Sequence, residues 1–339
     1  MDSCQLSGEI AAFMNHLKLI PERIKIMNNA QVKRSISDYI TITLKGFCMG
    51  AADVVPGVSG GTMAFILGIY EELIQAIRSF DLNFFRLVSE LKIKAAIEHA
   101  SILFLTALGT GILIAIFSLA RILSWLLLNQ PVLIWSFFMG LVLASVITVS
   151  RKISKWSPAA ITCIIFGTAG AYLLVGSVPV STPNETWFIF LSGSIAICAM
   201  ILPGISGSFI LVLLGKYHYI LEAVNNRDIL TIITVAAGAG AGILVFSRFL
   251  NWLLKNHHNM TIAVLTGLML GSLRKVWPWK ETLQSILDSH GKTIPVLQVN
   301  ILPPQWGNEV IFAVLLMTAG AGAVLLLAYC SERKNSLKA

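Results

Sequence analysis

Pro56-Gly57-Val58-Ser59-Gly60 and Pro203-Gly204-Ile205-Ser206-Gly207 are nearly the same stretch written twice, their prolines 147 residues apart. Each lies inside an apolar segment. Each is followed by Leu-Gly-x-Tyr: Leu67, Gly68 and Tyr70 in the first copy, Leu214, Gly215 and Tyr217 in the second. Proline removes a backbone donor and glycine admits conformations other residues avoid, so each copy predicts a helix break. Broken helices at corresponding places in two halves are how membrane carriers build a midplane binding site.

The composition fits that setting. The 339 residues are 56% hydrophobic and 12% charged, where a soluble domain carries about 25% charge. The apolar runs are long rather than alternating, so the spans are helical. The net charge of +8 sits in the connections, where it sets topology and meets anionic headgroups, and does not indicate nucleic acid. The five cysteines are scattered, with no CxxC and no Cys/His pairing at ligand spacing. No metal site, cofactor, Walker, HExxH or GxSxG motif is read.

Outward from the breaks, the first pair of apolar arms covers about 39–55 and 59–77, and spans follow at about 100–128, 131–150 and 158–176. The second pair covers about 187–203 and 206–224, with spans at about 229–254, 259–276 and 309–329. Residues 277–308 read as a long polar loop with Trp277, Trp279 and Trp306, suited to an interface. Arg121, Trp125 and Asn129 match Arg248, Trp252 and Asn256 at an offset of 127 residues. The shorter offset reflects an extra polar stretch after Arg78 in the first half.

Placing the basic N-terminus inside puts the basic connection 151–157 inside, 129–131 and 177–186 outside, and the basic tail inside. Arg274, Lys275 and Lys280, at an outer end, are the exceptions. The fold class predicted is an all-α polytopic membrane protein with two inverted-topology repeats. Each repeat is a Pro/Gly-broken helix pair, re-entrant or short, plus three transmembrane helices. Residues 1–37 form a cytoplasmic or interfacial segment, 38–176 the first repeat, 187–330 the second, inverted repeat and 331–339 a cytoplasmic tail. The two breaks then enter from opposite faces, and access alternates by rocking one half against the other.

The first turn of a helix presents unpaired N–H groups and the positive end of the dipole. Small residues there let an anion approach, so Ser59, Gly60, Gly61 and Thr62, with Ser206, Gly207 and Ser208, predict a site for a doubly charged oxyanion such as phosphate. A packing kink is the alternative. Arg121 and Arg248 lie within apolar spans, where a guanidinium is costly. They either snorkel to an interface or read a phosphate bidentately. Lys45 and Asp53 flank the first break. Asp53 either holds a proton or cation for coupling or pairs with Lys45. Glu71, with Glu72, Lys216 and His218, lies toward the ends of the second arms, as a gate or as interfacial anchors.

The run Lys45-Gly46-Phe47-Cys48-Met49-Gly50-Ala51-Ala52-Asp53-Val54-Val55-Pro56-Gly57-Val58-Ser59-Gly60-Gly61-Thr62 resembles the signature of a bacterial family assigned as polyprenyl-phosphate transporters, formerly a domain of unknown function. Leu202 to Ser208 resembles its second motif. The resemblance covers about residues 38–330. It implies translocation of undecaprenyl phosphate from the outer to the inner leaflet of the cytoplasmic membrane for reuse in cell-wall synthesis, without catalysis. An ion-coupled small-anion carrier is one alternative. Another is an undecaprenyl-diphosphate phosphatase, which shares a Pro-Gly-x-Ser break. Those enzymes continue with an arginine where Gly60 and Gly207 stand here, and they use a glutamate-rich helix that this sequence lacks.

Overall fold

The computed structural model describes residues 34–53, 59–287 and 293–336. The segment expected at 1–37 lies outside the described residues as far as residue 33, as do Val54–Val58 and the last three residues of the tail. The chain divides into two compact units between Thr41 and Ile42. The described part of the first opens helix α1 (Ile36–Asp53), where the Ser35 N–H and hydroxyl both donate to Asp38 Oδ2 (3.1 and 3.0 Å) and cap the helix start.

In the second unit, the first break leads into α2 (Gly60–Ile66) and α3 (Tyr70–Arg78). The extra polar stretch forms two short helices, α4 (Leu82–Ser89), capped by Asp81, and α5 (Ile93–His99). Then come α6 (Ile102–Asn129), α7 (Pro131–Ser150) and α8 (Pro158–Val175). The second half runs α9 (Thr186–Ile201), α10 (Gly207–Leu213), α11 (Tyr217–Asn225), α12 (Ile229–Asn256), α13 (His258–Val276), strands β1 (Lys280–Leu287) and β2 (Thr293–Asn300), and α14 (Asn308–Ser336). Pro131 and Pro158 each occupy a first helical turn, where their missing N–H groups cost nothing.

Among the described residues, five helices are long and apolar enough to cross a membrane, α6, α7, α8, α12 and α14, or six if the bent pair α10–α11 is one span. The protein is a mostly helical, multi-pass membrane protein. Helix α13 is as long as α8 but carries Arg274 and Lys275 in its last turn, and ten of its residues are buried against neighbours.

Two sequence expectations are corrected. The arms 59–77 and 206–224 are not continuous. Gly68 and Gly215 take positive φ (68° and 64°), a conformation only glycine enters cheaply, and end α2 and α10 after seven residues. Helices α10 and α11 meet at 106°. Glu71, Glu72 and His218 therefore lie in the first turns of α3 and α11, and Lys216 caps α11, rather than closing a span. The loop 277–308 contains an antiparallel hairpin, pairing Lys280 with Asn300 through Leu287 with Thr293, so the protein is not wholly α.

Helix α10 ends where α9 began. The Val180 N–H donates to Leu213 O (2.9 Å) and the Thr182 hydroxyl to Leu214 O (2.5 Å). Residues 180–184 lead directly into α9. The chain thus enters along α9, turns at Pro203-Gly204 and returns on the same side.

The long helices touch through glycines at matching places. Gly111 of α6 abuts the Thr43 carbonyl of α1, and Gly238 of α12 abuts the Phe190 carbonyl of α9. Gly140 of α7 abuts Met317 O of α14, and Gly267 of α13 abuts Ile164 O of α8. None of these positions has room for a Cβ. Such approaches let helices pack closely where water supplies no hydrophobic drive. Helices α7 and α8 thus pack on α14 and α13, across the two halves of the sequence, while α9 packs on α12 within its own half.

Candidate functional site

The fold brings the start of α2 against the second break. Helix α9 ends at Ile201, leaving its last carbonyls without intrahelical partners. The Ser59 hydroxyl lies 3.2 Å from Met200 O and 3.3 Å from Leu202 O, and Tyr70 Oη donates to Ile201 O (3.3 Å). In return the Gly204 N–H donates to Thr62 Oγ1 (3.0 Å). The negative end of α9 therefore abuts the positive end of α2, a complementary meeting of dipoles. A Cβ on Gly61 would stand 2.6 Å from Ile201 O, so the approach requires glycine.

At the start of α2 the donors are engaged by the chain itself. Asp53 Oδ1 accepts from the Gly60 N–H (2.7 Å), Ser59 Oγ from the Gly61 N–H (3.1 Å) and Ser59 O from the Thr62 N–H (2.9 Å). Ser59 and Thr62 are each 2% exposed. The Asp53 carboxylate stands where an external anion would meet Gly60, and it fills the space a side chain at residue 60 would need. Asp53 thus takes the Gly60 amide, while Lys45 Nζ donates to Leu67 O (2.7 Å) at the other end of α2. Lys152 Nζ joins it there, 3.4 Å from Phe65 O. Cations at a helix C-terminus oppose its negative end.

The start of α10 differs. Ser206 has the same extended backbone as Ser59, but its side chain caps nothing. Its hydroxyl lies 2.8 Å from that of Ser208, which is exposed, while Gly207 is buried. Gly204 (φ 89°) turns the chain against Ser272 and Met269 of α13. Ala199, Ile205, Ile210 and Leu213 form the apolar cluster beneath. At the far end of α10, Lys216 is 1% exposed and donates to Thr182 O (2.8 Å) and Asn184 Oδ1 (2.5 Å).

Arg121 and Arg248 are both exposed, each eight residues before the end of a 28-residue helix. No hydrogen bond, ion pair or ring contact ties either to the breaks among the described residues. Glu71 lies 3.5 Å from His258 Nε2 at an exposed corner. Sequence reasoning missed Tyr70, whose signal was its place in the repeated Leu-Gly-x-Tyr, and Lys152, which carried none beyond its basic connection. Among the described residues no group of three His, Cys, Asp or Glu can hold a metal.

Comparison with known proteins points one way. Residues 49–294 match the undecaprenyl phosphate translocase-like family. The chain is 41% identical over 302 residues to a polyprenyl-phosphate transporter of Vibrio cholerae serotype O1, covering 87% of this chain and 98% of the relative. It is 31% identical over 255 residues to a polyprenyl-phosphate transporter of Staphylococcus aureus, covering 69% and 85%. No solved structure matches it. A doubled Pro-Gly-x-Ser-Gly break, housed in a multi-pass helical protein and matched along most of its length, makes this chain a member of the undecaprenyl phosphate translocase-like family.

Proposed function

We propose that this protein carries undecaprenyl phosphate from the outer to the inner leaflet of the bacterial cytoplasmic membrane, with both termini cytoplasmic. The observation that carries the reading is the asymmetric meeting of the two breaks. One helix start is sealed by Asp53, and the other leaves a pair of serine hydroxyls uncapped. Both relatives are named polyprenyl-phosphate transporters. Recurrence of the glycine contacts at matched offsets supports two inverted repeats, and the Lys/Arg bias supports the orientation.

In this reading the phosphate meets Ser206, Gly207 and Ser208. Ser59 to Thr62 hold the second break in register and form the equivalent site only once Asp53 withdraws. Arg121 and Arg248 face outward at opposite levels, Arg121 toward the outer leaflet and Arg248 toward the inner. There each guanidinium meets the headgroup as the lipid enters or leaves sideways. Proton or cation coupling acts at Asp53, since neutralising its carboxylate weakens its hold on Gly60. Lys45 secures the other end of α2, and Glu71 gates through its contact with His258. No arginine or paired carboxylate stands at either break, so the site carries rather than cleaves.

The test is the pool of surface-exposed undecaprenyl phosphate in cells with and without the protein. Depletion raises the outer-leaflet pool, and Arg121→Ala with Arg248→Ala reproduces that rise in a folded protein. An unchanged pool on depletion sinks the lipid reading. Release of inorganic phosphate from undecaprenyl diphosphate by the pure protein replaces it with the enzyme.

A further inference from the structure

Lys275 and Lys280 break the orientation rule: they are basic residues at the outer end of α13, where Lys/Arg are otherwise sparse. The structure separates them from their neighbour Arg274. The Arg274 guanidinium donates to Tyr172 O (3.0 Å) and lies 4.4 Å from the Tyr172 ring, so it closes the end of α8. Lys275 has no such occupation. It is half-buried, its Nζ lies 4.9 Å from the centre of the Phe209 ring, and it makes no hydrogen bond or ion pair among the described residues. Phe209 belongs to the first turn of α10, so this ammonium packs against the start of that helix.

Lys280 converges on the same place from β1. Its Nζ donates to Lys275 O (2.6 Å) and lies 3.8 Å from the centre of the Trp135 ring of α7. Burial, and then the charge of Lys275, lower it to about 7. The hairpin holds it there through Trp277 Nε1 donating to Ile301 O (2.8 Å) and Asn300 Nδ2 to Arg274 O (2.9 Å). The indole N–H of Trp279, next to Lys280, is buried with no acceptor. Two partly desolvated like charges with no described carboxylate beside them are costly to hold. An arriving dianion offsets that cost.

We infer that Lys275 and Lys280 form a capture platform for a phosphomonoester dianion at the hairpin end of the molecule. This rests on the carrier reading above and names the residues that first take the headgroup. The charge count sets the selectivity: a phosphomonoester carries nearly two negative charges at neutral pH, whereas a phosphodiester headgroup carries one.

The experiment measures binding of undecaprenyl phosphate to the full-length protein in nanodiscs of neutral lipid. Lys275→Gln and Lys280→Gln each weaken binding about tenfold and together about a hundredfold, while Lys275→Arg, which keeps the charge, stays within about threefold of wild type. Thermal unfolding midpoints confirm that the variants are folded, and Lys275→Arg against Lys275→Gln isolates charge from packing. If the double variant binds like wild type, the platform is wrong and the carrier reading stands. If wild type does not prefer undecaprenyl phosphate to the uncharged alcohol undecaprenol, the carrier reading itself fails. Excess phosphatidylglycerol leaves binding intact; equal competition would make the lysines an interfacial anchor and overturn the platform. Inorganic phosphate that displaces the lipid at equal concentration would identify free phosphate as the ligand and overturn the lipid assignment.

Discussion

The starts of α2 and α10 share a sequence and a backbone but not a chemistry. Ser59 and Ser206 have matching dihedrals, −118°/135° and −100°/135°. What separates them stands six residues before the serine and two residues after it. Asp53 supplies a carboxylate to Gly60, whereas its counterpart, at the same 147-residue offset, is Met200. Two residues after the capping serine, Gly61 lets the carbonyl of Ile201 approach, whereas its counterpart Ser208 points a hydroxyl outward. A duplicated motif thus sets a shape twice, and its flanks decide which copy is closed on the protein and which leaves its serines uncapped.

The comparison can be broken most forcefully at Gly61. An alanine there meets the Ile201 backbone, so Gly61→Ala should cost about 3 kcal/mol. The thermal unfolding midpoint in detergent should fall by several degrees. Gly60→Ala meets only the movable Asp53 carboxylate and should cost less; an equal loss would mean that the meeting of the breaks is not the sensitive element. Next comes the carboxylate itself. Asp53→Ala removes a charged acceptor from a backbone amide and should cost about 2 kcal/mol, while Met200→Ala, at a 43% exposed residue, should stay within about 0.5 kcal/mol. The reciprocal Met200→Asp should give the second break a carboxylate of its own and weaken undecaprenyl phosphate binding about tenfold, with the midpoint unchanged.

The serines give a smaller contrast. Ser59→Ala loses a helix cap and should cost about 1 kcal/mol. Ser206→Ala caps nothing and should leave the midpoint in place while lowering affinity two- to threefold, by about 0.5 kcal/mol. The gentlest test is pH. Lys280, lowered to about 7 by burial and by Lys275, is an ammonium below that pH and neutral above it. Lys275 on α13 is the charge that acts on it, and Glu281, its neighbour on β1, is exposed and makes no ion pair with it among the described residues. Affinity for sulfate, whose charge is constant in this range, should therefore be highest below pH 7 and fall as pH rises through it. Lys280→Arg should flatten the profile.

Much of the scaffold was legible. The prolines at 131 and 158 and the long apolar runs set the limits of α6, α7, α8, α12 and α13 within a residue or two of those observed, while α14 runs seven residues past its expected end. The repeat located the second break, while Pro56 and Gly57 lie outside the described residues. Gly68 and Gly215 were visible as repeated letters, but a lone glycine in an apolar run does not announce a turn of 106°. The hairpin was hidden because Lys280–Leu287 alternates too weakly between polar and apolar to read as a strand. The role of Asp53 depended on how residues on either side of a break come together, which spacing along the chain does not encode. Lys275 and Lys280 were marked only by standing on the wrong side of a charge rule.

The glycine contacts also bear on movement. Rocking one half against the other would have to shear Gly140 from Met317, Gly320 from Phe137 and Gly267 from Ile164, close contacts that cross between halves. Contacts of that kind tie the two halves of the sequence to each other. Helices α7, α8, α13 and α14 form an interlaced frame that belongs to neither half. The seven-residue helices α2 and α10, by contrast, each end at a glycine of positive φ, Gly68 and Gly215, where the chain changes direction.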